Sequence, residues 1–163
     1  MLAEAPHLLV ALEQSGLAAA IRQSTWAYPA ANVGHILALT LFAGGVVAMD
    51  LRLIGAFAAA PPGSVVRPAR RVAIAGLLLM LLTGSMLFTA EASHVAMNPV
   101  FQIKAGLIAL GILNALLAGR RLDGLLVGAP PFEPLPLGIR LAAVLSLAVW
   151  LSVAACGRLI AYF

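Results

Sequence analysis

Charge is almost absent from four long stretches of this 163-residue chain. Residues 23–49, 72–90 and 105–119 hold no Asp, Glu, Lys or Arg, and a fourth apolar run fills residues 137–157, with Arg140 in its first turn and Arg158 just beyond it. A bilayer's hydrocarbon core is about 30 Å thick and takes roughly 20 apolar residues of helix to cross. Backbone groups in hydrocarbon must be paired internally, so such runs are helices or strands of a closed barrel. These runs are continuous rather than alternating, and far too few for a barrel. The sequence therefore predicts an all-α membrane protein, a four-transmembrane-helix bundle. The spans are expected near residues 30–49, 72–95, 101–119 and 137–157, within a single membrane domain over residues 1–163.

Composition supports the same reading. Hydrophobic residues make up 63% of the chain and charged residues 10%, against about 25% charged in ordinary soluble domains. The net charge of +4 does not point to nucleic acid, because the basic residues sit between the apolar runs. Arg52, Arg67, Arg70 and Arg71 follow the first run, and Arg120, Arg121 and Arg140 follow the third. The other side of the bundle holds Arg22, Lys104 and Arg158. The positive-inside rule puts the arginine-rich side in the cytoplasm. The expected setting is a bacterial inner membrane, multi-pass, with both termini periplasmic. The first 22 residues carry Glu4 and Glu13 and lack a basic start, so the first span is expected to act as its own insertion signal. Cys156 stands alone, which excludes an intramolecular disulfide and Cys-based zinc patterns.

Residues 5–22 carry Leu8, Leu9, Leu12, Leu17 and Ile21 at roughly helical spacing, with Glu13, Gln14 and Arg22 between them. This predicts an N-terminal amphipathic interfacial helix, interrupted near Ser15-Gly16. Trp26 and Tyr28 suit the interface, and Pro29 suits the first turn of the span that follows. Asn98-Pro99 stops one helix and starts the next, with Asn98 as the cap. Pro130, Pro131, Pro134 and Pro136 make the last loop a stiff connector.

Ionisable residues inside a membrane are costly, so they are the first candidates for function. His35 lies near the outer end of the first span, and His94 at the outer end of the second, one turn after Glu91. Antiparallel neighbours would bring the two imidazoles to the same leaflet. Paired histidines on adjacent helices are the protein ligands of b-type haem, and glycines such as Gly34, Gly44, Gly45, Gly76 and Gly84 let a flat macrocycle approach the backbone. Copper is the alternative: His35 and His94 with Met86 or Met97, and less favourably Met49 or Met80, offer imidazole and thioether ligands. Lys104 and Arg22 are the candidate partners of haem propionates, and Lys104 could also pair with Glu91. The bland readings are helix-to-helix hydrogen bonding for His35, solvation for His94, packing for the glycines, and a surface position for His7. Asp50 and Arg52 are expected to pair with loop charges such as Arg70 and Arg71, and Asn114 to bond another helix. Nucleophile elbows, phosphate loops and paired catalytic carboxylates are absent, so the chain is not expected to be an enzyme by itself.

Several of these residues also carry a resemblance. The stretch with Trp26, Tyr28, Pro29, His35, Gly44-Gly45 and the run Asp50-Leu-Arg-Leu-Ile-Gly55, continued by Thr83-Gly84, Phe88, Glu91 and Asn98 to Lys104, resembles a family of uncharacterised bacterial four-helix inner-membrane proteins. More distantly, the layout with a histidine at the outer end of helix one is similar to the membrane domain of copper-resistance D proteins and to b-type cytochrome bundles. That likeness implies a haem-b or copper site near the periplasmic face, for electron transfer or metal handling. The chain lacks the two stacked histidine pairs of a di-haem cytochrome, so it implies one haem at most. The competing expectation is a non-catalytic accessory subunit beside other membrane subunits. In either case the surroundings are lipid, with a periplasmic redox or metal partner in the first.

Overall fold

The structure, a computed structural model, describes residues 6–162. Residues 1–5, including Glu4 and the first residue of the expected interfacial helix, lie outside the described residues. Seven α-helices follow one another: α1 (His7–Glu13), α2 (Gly16–Gln23), α3 (Ala27–Ile54), α4 (Pro62–Ala90), α5 (Ala92–Met97), α6 (Pro99–Leu125) and α7 (Leu137–Leu159), closed by a 3₁₀ turn, Ile160–Tyr162. Among the described residues, α3, α4, α6 and α7 (with its 3₁₀ turn) are long and apolar enough to cross a membrane.

The spans reach beyond their charge-free stretches. α3, α4 and α6 have 28, 29 and 27 residues, roughly 40 Å each at 1.5 Å per residue and longer than a hydrocarbon core. α4 begins at Pro62 and runs through Arg67, Arg70 and Arg71, and α6 runs on through Arg120, Arg121 and Asp123. Charge limits how deep a residue sits in lipid; it does not end a helix whose backbone bonds continue. Gly55, at φ 126°, ends α3, a conformation that a side chain would disfavour.

α3 is the central helix. It packs along α4 on one side and α7 on the other, while α6 leans on α7. The α3–α4 contact is close because Gly45 and Gly76 sit in it: a Cβ at Gly45 would lie 2.7 Å from Ala73 N, and one at Gly76 would lie 2.5 Å from Phe42 N. Trp150 of α7 lies over Gly111 of α6 and meets the Phe42 ring edge-on, with centroids 4.6 Å apart. Asn114 Nδ2 donates to Ala142 O across α6 and α7 at 2.9 Å.

α4 and α6 meet mainly at their ends. Arg70 pairs with Asp123 at 2.6 Å where the arginine-rich loops lie. At the opposite end, which carries the histidines, Phe88 stacks on Phe101 with centroids 5.6 Å apart. The arginine-rich end has its own core of Leu53, Val66, Leu122, Leu126, Leu135, Ile139 and Ala143. There the expected charge pairing of Asp50 and Arg52 gives way to another arrangement. Arg52 donates through Nε and Nη2 to Ala60 O at 3.2 and 2.8 Å, so it braces the loop after α3. Asp50 is 1% exposed, beside Ser146, and its Oδ2 has no hydrogen-bond partner. Arg70 is already engaged by Asp123, which the sequence reading did not consider as its partner.

The N-terminal segment breaks where Ser15 caps α2 by accepting from Ala18 N at 3.2 Å. Its two short helices lie against α4 and α5. Arg22 Nη1 donates to Ala90 O at 2.7 Å, satisfying a carbonyl at the end of α4. Glu13 accepts from Ser93 N at 2.8 Å and from the Ser93 hydroxyl. Asn98 caps α6, accepting from Val100 N and Phe101 N at 2.9 and 3.3 Å.

A candidate cofactor cavity at the histidine end

At the histidine end, around the Phe88–Phe101 contact, lies a cavity of about 890 Å³, walled by α3, α4, α6 and α7 and reached by α5. Its walls are mostly apolar, with Phe42, Leu77, Met80, Phe88, Phe101, Leu147 and Trp150 among them. The polar residues that line it include Tyr28, Asn32, His35, Ser85, Glu91, His94, Lys104 and Tyr162. A mostly apolar cleft with a few converging polar groups, in a volume of about 300–1,000 Å³, is the usual form of a small-molecule or cofactor site.

His35 is positioned by α4. Its Nδ1 lies 2.9 Å from Thr83 Oγ1, and Thr83 Oγ1 donates its proton to Leu79 O at 2.7 Å. A hydroxyl has only one proton to give. With that proton on Leu79 O, Thr83 accepts from His35, so the imidazole proton sits on Nδ1. In that tautomer the lone pair is on Nε2 and faces no hydrogen-bond donor among the described residues; the Met80 carbonyl also lies beside the ring. Gly84 makes room for this ring: a Cβ there would lie 3.1 Å from His35 Cε1. The arrangement is the one found around ligating histidines, where one nitrogen is fixed by a hydrogen bond and the other is free for a metal.

Lys104, in the second turn of α6, lines the same cavity and packs its Nζ near Gly157 of α7. It has no hydrogen-bond or ion-pair partner among the described residues. The Glu91 pairing expected for it is not made; Glu91 Oε1 instead accepts from Tyr28 OH at 3.4 Å. His94 reaches the cavity from α5, a helix distinct from α4, and is exposed. Near it the Ser93 hydroxyl and amide hold the Glu13 carboxyl below the usual glutamate range, helped by the charges of Arg22 and His94.

The fold thus brings His35, His94, Lys104 and Met80 to one cavity and leaves Arg22, Met49, Met86 and Met97 outside its lining. Met86 and Met97 are not among its lining residues, whereas Met80 is. Arg22 is spent on the Ala90 carbonyl and does not line the cavity. His7 is exposed on α1, and Met49 packs against the core at the arginine-rich end. Among the described residues, no group of three or more His, Cys, Asp or Glu side chains could hold a metal ion. The sequence reading did not assign a role to Thr83, Asn32 or Trp150. A hydroxyl next to a glycine on the helix facing His35 was the available signal for Thr83.

No curated protein and no solved structure matches the chain. One family model does, over residues 17–163, from the second short helix to the end and including every wall of the cavity. The chain belongs to that family, DUF6644, a family of unknown function.

Proposed function

We propose that this protein binds a single b-type haem in the cavity at its histidine end, where His35 Nε2 would hold the iron. The observation that carries the reading is the His35–Thr83–Leu79 hydrogen-bond chain, which leaves one imidazole lone pair free beside an apolar cavity. The donor set fits the group. One oriented imidazole offers itself to iron, small residues at Ala43, Gly84, Ala154 and Gly157 let a flat ring approach three helices, and the Lys104 ammonium is available to a propionate. A bound haem would supply one-electron transfer. The chain's own part is to orient His35 through Thr83, to neutralise a carboxylate through Lys104 and to exclude water with Phe88, Phe101 and Trp150. His94 on α5 is the candidate second residue to hold the group.

Copper is the weaker form of the same idea. Met86 and Met97 lie outside the cavity lining, which leaves Met80 as the one thioether there. The arginine asymmetry supports a bacterial inner membrane, with the histidine end and both termini facing the periplasm.

The test is the optical spectrum of detergent-purified protein, oxidised and reduced, from cells given ample haem precursor. A Soret band with sharp reduced α and β bands in the wild type, lost in His35→Ala, is expected. His94→Ala should keep the haem and convert it from six- to five-coordinate. A featureless wild-type spectrum would overturn the haem reading and direct attention to copper analysis and to an accessory role beside other membrane subunits.

A further inference from the structure

The opposite end of the bundle holds a second cavity, of about 590 Å³, between the end of α6 and the start of α7. Its deep end is closed by Asn114, whose amide is bound to Ala142 O. Its mouth carries Arg120 and Arg121, neither of which has a hydrogen-bond or ion-pair partner among the described residues. From Asn114 to Arg121 the groove runs about two helical turns, roughly 10 Å at 1.5 Å per residue. Leu117 and Ile139 wall it, and Leu117 is 56% exposed on the outward face of α6. The groove is therefore apolar where the span runs through hydrocarbon and doubly cationic where the span leaves it.

An occupant that matches both halves has acyl chains and an anionic phosphate head. A soluble anion would use the guanidinium groups and leave the apolar walls bare. A lipid without net negative charge would use the walls and leave the two exposed guanidinium groups uncompensated. Guanidinium forks match phosphate oxygens in geometry as well as charge, and basic pockets between transmembrane helices are a known form of anionic-lipid recognition. We propose that the α6–α7 groove is a binding site for one anionic phospholipid, with Arg120 and Arg121 on its phosphate and an acyl chain along Leu117 and Ile139. This site is independent of the cofactor cavity and stands or falls without it.

The experiment follows the thermal midpoint of the detergent-purified full chain as dioleoyl phosphatidylglycerol, dioleoyl phosphatidylcholine or inorganic phosphate is added. Phosphatidylglycerol should raise the midpoint saturably, with the other two having little effect. Arg120→Gln with Arg121→Gln should weaken the apparent affinity roughly thirtyfold, as expected for two basic contacts. Arg67→Gln with Arg71→Gln removes the same charge from the same end of the bundle and should leave the affinity unchanged. Ala118→Phe, which fills the groove but keeps both arginines, should also abolish the effect. Three results overturn the proposal: phosphatidylcholine acting as well as phosphatidylglycerol, inorganic phosphate acting alone, or the Arg67/Arg71 variant losing as much as the Arg120/Arg121 variant. If the double glutamine variant fails to fold, Ala118→Phe decides, since unchanged lipid affinity with a blocked groove would also overturn the site.

Discussion

Thr83 settles more about this protein than its size suggests. Its hydroxyl spends its proton on Leu79 O and so dictates which nitrogen of His35 is free. Thr83→Val keeps the shape and removes the acceptor. The expected outcome is a loss of about 10–100-fold in haem affinity, the usual effect of losing such a supporting contact, with recovery in Thr83→Ser. Titration of apo-protein with hemin checks it, and an unchanged affinity would mean that Thr83 does not orient the ligand. Asp50 is the contrasting residue. It is buried more completely than His35, and its Oδ2 is unpaired, but neither cavity reaches it. Burial alone does not make Asp50 a candidate; His35 is one because it lines an accessible cavity.

At the scale of elements, the α3–α4 pair is the stiff part of the molecule. Gly76 brings the α4 backbone against Phe42 of α3, and an added Cβ would meet backbone atoms that cannot move aside. Gly76→Ala is expected to destabilise the protein by about 1–3 kcal/mol, as overpacking does. Unfolding in mixed micelles by increasing dodecyl sulfate measures it; Gly44→Ala, where nothing lies within 4 Å, is the control and should change little. The short helices at the histidine end are held differently, by polar contacts. Glu13 has a lowered pKa because Ser93 hydrogen-bonds its carboxylate. A depressed acid contributes stability above the ordinary glutamate range and loses it as pH falls through the lowered value. Protection factors of the α1 and α5 amides, taken against the intrinsic exchange rate at each pH, should therefore fall on acidification, while Glu13→Gln is weakly protected at neutral pH and changes little further. Equal protection of wild type and Glu13→Gln at neutral pH would show that this contact does not hold α1 in place.

For the whole molecule, the arrangement of spans matters more than any one of them. α3 lies between α4 and α7, and α6 touches the bundle mainly through α7. The space left between α4 and α6 opens into the cavity, and the stacked Phe88 and Phe101 form part of its wall. The proposed orientation makes a direct prediction. In a Cys156→Ser background, a cysteine at exposed Leu8 should react with a membrane-impermeant maleimide added to intact cells whose outer membrane has been made permeable. A cysteine at exposed Phe132 should react only after the inner membrane is opened. The reverse pattern would put the histidine end in the cytoplasm and remove the periplasmic part of the functional reading.

Spans and caps were legible in residue order because they depend on local quantities. Absence of charge over a bilayer's thickness makes a helix the only way to pair the backbone, and Asn98 before Pro99 is a start signal whatever surrounds it. His35 and Lys104 were visible for the same reason: an ionisable side chain in an apolar run is conspicuous by its cost. Partnerships were not legible, because they depend on which helix faces which and at what height. Only the packing of α3 on α4 put Thr83 behind His35 and Gly84 beneath it. Only the chain's return through α5 turned Met97 away from the cavity while His94 kept a place at its mouth, and only the fold of the short helices took Arg22 to the end of α4. The apolar pattern decided that this chain lies in a membrane; the register between its helices decided where in that membrane it has room for a ligand.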